Sequence, residues 1–390
     1  MLKLSESSWD DQEINAAINC LRNDSTTMGR EVEKFEQAFA DRLSSNHAVM
    51  VNSGSSANLL GVSTIAFIDG IDQNRNTILV PALSWSTTYF PWLQLGFKLR
   101  FVDIDLETFN IDLADLENKI DDKVCGVCVP HILGSDAGAL RIQKLCIENK
   151  LWLFEDTCES LGGTSLEDSE KYLGTFGRFG TFSFFRSHHI STMEGGMLLT
   201  NNFDEYAVAK SLRAHGWSRN IAFSKYLNNS DSIEWDARFK FYAPGFNFRP
   251  LEISGAIGNV QLKKLDHFLE MRRNNANLLN SLLSNNKVLR LQKQESGGSW
   301  MAFAFVIIDH DVNKYELISR LEDAGFETRP VVTGNFLKQP VISKIETNIE
   351  ATGDFRNSNI IHERGFMIAN HGRDLSRELN QFLEIVNTFN

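Results

Sequence analysis

Cysteine is scarce in this chain of 390 residues, and it stops early: Cys20, Cys125, Cys128, Cys146 and Cys158 are all that occur. So sparse and odd a set excludes a disulfide framework and fits free thiols in a reducing cytoplasm. Cys125 and Cys128 form a C-x-x-C, but inside VCGVCVP, which reads as a buried strand; a zinc site would need two further convergent ligands. Positive charge is short as well. Lys and Arg number 39 against 50 Asp and Glu, a net charge of −11, which argues against non-specific binding to nucleic acid or to an anionic membrane. No stretch approaches the roughly 18 uninterrupted apolar residues of a membrane span. The opening residues MLKLSESSWDDQEINAAI hold no signal-peptide core, so the expected location is the cytoplasm. Repeats, low-complexity tracts and Pro/Gly/Ser-rich linkers are missing too.

What is present is a 42% apolar chain, enough for a large core and a division into two lobes. Apolar runs of strand length recur: AVMVNS at 48–53, TILVPA at 77–82, KLRFVDI at 98–104, VCGVCVP at 124–130, LWLFED at 151–156 and GTFSFF at 180–185. Segments of helical period, such as SANLLGVSTIAFI and RIQKLCIENK, lie between them. Near-continuous apolar strands alternating with helices indicate an α/β domain with a mostly parallel sheet covered on both faces. Helices dominate from about 251 to 290, and MAFAFVII, YELISRLEDAG and FETRPVV then predict strand, helix and strand. The expected division is a large α/β domain over 1–250 and a smaller α+β domain over 251–390.

Three segments carry chemistry. SGSSAN at 53–58 follows a strand and opens a helix. Gly54, Ser55 and Ser56 there suit a phosphate held by unpaired amides and the helix dipole, although Ser-rich turns before helices are more often plain N-caps. LFEDTCES at 153–160 places Asp156 and Glu159 at the carboxyl end of a strand, where open α/β sheets bind ligands. Asp156 can pair with a protonated ring nitrogen, or the acidic residues can simply cap the next helix. FSFFRSHHISTMEGG at 182–196 brings Ser183, His188, His189 and a Glu-Gly-Gly together.

Phosphate-type turn, aromatic loop (SWSTTY, with Trp85), strand-end Asp, then Ser-Phe with a reactive position five residues after the Ser make a specific succession. It resembles the sugar aminotransferase family of fold-type I pyridoxal-phosphate enzymes. In that family the last segment runs Ser-Phe, three variable residues, Lys, and soon Glu-Gly-Gly. Here His188 stands at the lysine position, and no lysine occurs between Lys171 and Lys210. SSWDD, TMG, VPALSWSTTY, EDTCES, GTFGRFGTFSFF, HHISTMEGG, RAHGW, PGFNFRPLE and RPVVTGNFLK extend the likeness along both lobes, to a histidine-bearing branch that dehydrates GDP-linked 4-keto-6-deoxy sugars in colitose-type biosynthesis.

The resemblance implies residue roles. Gly54, Ser55, Ser56 and Ser183 would hold the phosphate of pyridoxal phosphate (PLP), Trp85 would stack on its ring, Asp156 would pair with the ring nitrogen, and Glu159 would address the ring hydroxyl. Asn247 would reach the phosphate in a neighbouring subunit, implying a homodimer with shared sites. His215, Arg219 and Arg329 become candidate substrate contacts, and His189 a structural residue. Histidine cannot make lysine's covalent link to the cofactor, but it can move protons near neutral pH. PLP would therefore be held without a covalent bond and loaded as its amine from L-glutamate, with His188 serving loss of the sugar's C3 hydroxyl and release of ammonia. A related dehydrase with an iron–sulfur cluster is disfavoured, since four cysteine ligands are needed and none follows Cys158. An aminotransferase making an amino sugar and a catalytically inactive binding subunit are the competing readings.

Overall fold

The apolar runs of the first half become neighbouring strands in the computed structural model, which describes residues 1–217, 239–295 and 297–389. They are β1 (His47–Val51), β2 (Thr77–Pro81), β3 (Lys98–Val102), β4 (Val124–Pro130), β5 (Trp152–Asp156), β6 (Phe179–Ser183) and β7 (Gly196–Thr200). Later come β8 (Leu289–Leu291), β9 (Ala302–Ile307), β10 (Ile349–Glu350) and β11 (Gly365–Ala369). The large sheet has the order β1-β7-β6-β5-β4-β2-β3-β10. Its pairs from β10 through β6 are parallel, and β7 alone runs against both of its neighbours.

Strand period explains how this sheet is covered. Alternate side chains of β1 point to opposite faces. Val49 and Val51 join a core with the helix Gly54–Asp69, while Ala48 and Met50 join another with the helix Arg30–Arg42. All seven residues of β4 are buried, Cys125 and Cys128 included; desolvation pushes the Cys125 thiol up to about 12.

A second sheet, antiparallel in the order β11-β9-β8, packs its phenylalanines Phe303, Phe305 and Phe366 with Phe382 and with Leu2 from the start of the chain. The 31-residue helix Glu252–Leu282 reaches both bodies, lying against the helices Asp11–Arg22, Arg30–Arg42 and Ser376–Val386. β10 returns from the late chain to the edge of the large sheet, where Ile349 pairs with Leu99. The strand expected over FETRPVV does not form. Residues there make only single bridges, Leu2 with Phe326 and Arg329 with Met367. Pro330 offers no amide to a ladder, and Val332 turns into the left-handed region at φ 49°.

Candidate active site

Where β2, β4, β5 and β6 end, a cavity of about 870 Å³ opens between the two sheets. Its floor is a first helical turn. Ser53 caps the helix Gly54–Asp69, its Oγ accepting the Ser56 amide at 3.1 Å. Gly54 and Ser55 then lie in the turn whose amides have no carbonyl four residues back within the helix. Ser55 Oγ donates to Thr87 Oγ1 at 3.0 Å. Close approach demands glycine here: a Cβ on Gly54 would meet Ser183 Cβ at 2.6 Å and Cys158 Sγ at 2.9 Å. A Cβ on Gly196 would meet the Ser53 carbonyl oxygen at 2.3 Å. The Glu-Gly-Gly thus lets the start of β7 press against the turn after β1.

Asp156 ends β5 with its carboxylate held on both sides. Oδ2 accepts Thr88 Oγ1 at 2.7 Å and Asn58 Nδ2 at 2.9 Å, and Oδ1 accepts the Cys158 amide at 3.2 Å. Asn58 is itself fixed, since Thr181 Oγ1 donates to its Oδ1 at 2.5 Å. Glu159 stands beyond, its Oε2 accepting the Leu133 amide at 2.9 Å. Burial pushes its carboxyl up to about 7, against the pull of the Leu133 amide and with the help of the neighbouring Asp156 charge. Trp85 forms one wall with an indole that is 56% exposed.

His188 lines the same cavity. Its amide donates to the Phe185 carbonyl at 2.9 Å, and its Nδ1 lies 3.4 Å from Ser187 Oγ. Desolvation, aided by the Arg272 charge, pushes the imidazole down to about 4. Arg272 is buried and bonds backbone carbonyls of Met301 at 2.8 Å and Trp300 at 3.4 Å. His189 points away, its Nε2 at 3.1 Å from the Ser299 carbonyl in the buried interior. A neutral imidazole, a fixed carboxylate, a part-protonated carboxyl and a helix N-terminus around one space suit proton transfer on a phosphorylated aromatic ligand.

Gly54, Ser55, Trp85, Asp156, Glu159, Ser183, His188 and Arg329 all line this cavity. Ser56 sits one position deeper, bound to Ser53. Asn247 and His215 lie outside it, both exposed; Arg249 Nε donates to Asn247 Oδ1 at 3.0 Å, and the His215 amide donates to the Phe246 carbonyl at 2.7 Å. Arg219 lies outside the described residues. Asn58, Thr87 and Thr88 join the site without standing out in the sequence, although they lie within SGSSAN and SWSTTY. Asn58 follows Gly54 by four residues, the spacing that keeps both on one helical face. Lys3, Leu4 and Ser5 also line the cavity, and nothing in their local pattern marks them.

The family model for DegT/DnrJ/EryC1/StrS aminotransferases matches residues 7–384. The GDP-4-keto-6-deoxy-D-mannose 3-dehydratase of Yersinia pseudotuberculosis is 39% identical over 386 residues, covering 98% of this chain and 97% of that one. The enzyme of that name from Escherichia coli O55:H7 is 38% identical over 391 residues, with 98% of each covered. Among solved structures, E. coli GDP-4-keto-6-deoxy-D-mannose-3-dehydratase with bound hydrated PLP aligns at TM-score 0.94 and 38% identity, over 99% of each chain. Matched along nearly its whole length in sequence and in fold, the chain belongs to the DegT/DnrJ/EryC1/StrS aminotransferase family.

Proposed function

We propose that this chain is a PLP- and glutamate-dependent lyase that removes the C3 hydroxyl of GDP-4-keto-6-deoxy-D-mannose. The product is the 3-deoxy-4-keto sugar, with ammonia released and glutamate oxidised to 2-oxoglutarate. The observation that carries this reading is His188: an imidazole, not an amine, faces the cavity beside the Gly54 turn and Asp156. Relatives that are 39% and 38% identical bear the name of that activity, and a related dehydratase structure holds a trapped PLP-glutamate geminal diamine.

The donor set fits the cofactor. The Gly54–Ser55 turn suits its phosphate, the Trp85 indole its ring face, the doubly held Asp156 its ring nitrogen, and Glu159 its ring hydroxyl. When bound, PLP supplies an amino group taken from glutamate and an electron sink that makes the C3–oxygen bond of the sugar breakable. The protein contributes position and proton movement. Asp156 keeps its charge directed at the ring nitrogen because Thr88 and Asn58 hold Oδ2. His188, neutral at working pH, takes a proton at its free ring nitrogen and can return it to the departing hydroxyl. It cannot form lysine's covalent link, so the cofactor is held by contacts alone.

We infer further that the protein works in the cytoplasm, in colitose-type deoxysugar supply for surface polysaccharide such as lipopolysaccharide O-antigen. The reading includes a homodimer with shared sites. Exposed Asn247 stands in a stretch rich in exposed apolar residues, Phe239 and Phe241 at 59% and Leu251 at 55%, and a surface of that kind favours burial against a second copy. A division into two domains near residue 250 is supported by the two sheets having separate cores, with Phe336 and Phe355 crossing back to the first core and Leu2 to the second.

The test is a mass spectrum of GDP-4-keto-6-deoxymannose after incubation with the protein, PLP and glutamate, with ammonia assayed alongside. A product lighter by one oxygen, with its ketone retained and ammonia free, is the expected result. An amino sugar without ammonia would make the protein an aminotransferase. Bound PLP with no turnover would favour an inactive binding subunit.

A further inference from the structure

The start of the chain is tied into the cavity wall by contacts that no helix or sheet requires. The Leu2 amide donates to the Gly325 carbonyl at 2.8 Å, and the Glu327 amide donates to the Leu2 carbonyl at 2.9 Å. The Leu4 amide donates to Glu327 Oε2 at 2.9 Å. His371 Nε2 meets the Lys3 carbonyl at 2.7 Å, and Arg373 grips the Glu6 carboxylate at 2.9 and 3.0 Å. Residues 2–6 are thereby a fixed strap, and Lys3, Leu4 and Ser5 become part of the wall shared with His188.

The charges on that wall are unevenly matched. Arg329 is paired, its Nη2 donating to Glu327 Oε1 at 2.7 Å. Glu327 therefore binds the strap with one oxygen and Arg329 with the other. The Leu4 amide, with Arg329 and Lys3 close by, holds the Glu327 carboxyl below the usual carboxylate range. Lys3 and Arg186 also line the cavity and are exposed; among the described residues neither side chain has a hydrogen-bonded or ionic partner. The Gly54 turn already provides for one phosphate. These two cations, Lys3 sharing the field of Glu327 with Arg329, remain for a second anionic group in the same space.

Resting on the proposed function, we infer that the amino-terminal strap is part of the substrate site: Lys3 and Arg186 receive the diphosphate of the nucleotide-linked sugar, and Glu327 is the positioning residue that sets the strap against Arg329. Charge-assisted contacts of this kind add binding that falls with salt. Glutamate carries carboxylates through the same cavity, and its reaction with the PLP-loaded protein is the control that separates the two anions.

The experiment measures GDP affinity, the KM and kcat for the GDP-keto sugar, and the glutamate half-reaction, on PLP-loaded full-length protein. Lys3→Gln and Arg186→Gln are expected to weaken GDP binding and raise the sugar KM by roughly three- to tenfold each, at moderate ionic strength. kcat and the glutamate half-reaction should stay within about twofold. Glu327→Ala should raise the sugar KM by about tenfold with kcat held, and Glu327→Gln, which keeps an acceptor for the Leu4 amide, should recover most of that loss. Unchanged GDP affinity in both cation variants, with wild-type protein binding GDP, would overturn the strap assignment and leave the function standing. A raised glutamate KM in place of a raised sugar KM would overturn it in favour of the carboxylate. Wild-type protein that reacts with glutamate but has no affinity for GDP would defeat the functional reading and this inference together.

Discussion

Thr88 Oγ1 and Asn58 Nδ2 converge on a single oxygen of Asp156, at 2.7 and 2.9 Å. Two donors fix that carboxylate before any ligand arrives, so pairing with a ring nitrogen demands little reorganisation. Thr88→Val and Asn58→Leu should each weaken PLP binding by about tenfold, in line with roughly 1.5 kcal/mol for a bond to a charged group. Fluorescence titration with PLP measures this. Wild-type affinity in both variants would show that the carboxylate needs no such support.

His188→Asn should lower dehydration by a factor of about 10² to 10⁴, the usual contribution of a positioned acid–base group, while PLP affinity changes little. His188→Lys should attach PLP covalently, leaving a borohydride-fixable adduct at position 188, and lose dehydration. Unimpaired dehydration in either protein would remove His188 from the chemistry.

The acid limb of kcat/KM should fall near pH 4. His188 acts as a base only when neutral, and burial with the Arg272 charge lowers its pKa from an ordinary 6.5 to about 4. Activity therefore persists through the window between those values and is lost as pH drops through the lower one. A limb near 6.5 would mean that the imidazole is solvated when the enzyme works.

Glu159 gives the opposite sign. Its carboxyl, raised to about 7, is protonated below that pH and can donate to a ring oxygen; above it, the new negative charge repels that oxygen. PLP affinity should decline as pH rises through about 7. Glu159→Gln should flatten the profile, and a slope that survives the substitution would point to another group.

Gly196→Ala puts a Cβ 2.3 Å from the Ser53 carbonyl oxygen, a backbone atom that cannot swing aside. Destabilisation of about 1–3 kcal/mol is expected, with weakened PLP retention because the Gly54 turn moves. Thermal melts of the PLP-free and PLP-loaded protein separate the two effects.

Much of this site was readable from the chain. Strand-end positions such as Asp156 and Ser183 announce themselves because an apolar run stops at a polar residue. Gly54 and the Ser-rich cap do so because turn chemistry is local. Thr88 was missed because its hydroxyl acts across 68 positions of sequence. Lys3 was missed because a strap has no period. The strand expected at FETRPVV failed for a reason visible in hindsight: Pro330 lies inside it.

The turn after β1 and the loop before β7 are locked by backbone against backbone, through Gly196 and Ser53 and through the pairing of Val51 with Gly196. The side chain of His188 takes no part in that lock; it lies 3.4 Å from Ser187 Oγ and edge-on to the Phe185 ring. Position 188 thus sits like a tool mount in a loop whose far end is clamped at Gly196. Under the proposed function the side chain mounted there decides the product while the Gly196–Ser53 lock stays the same, so variants at this position should melt within a few degrees of one another and differ in product.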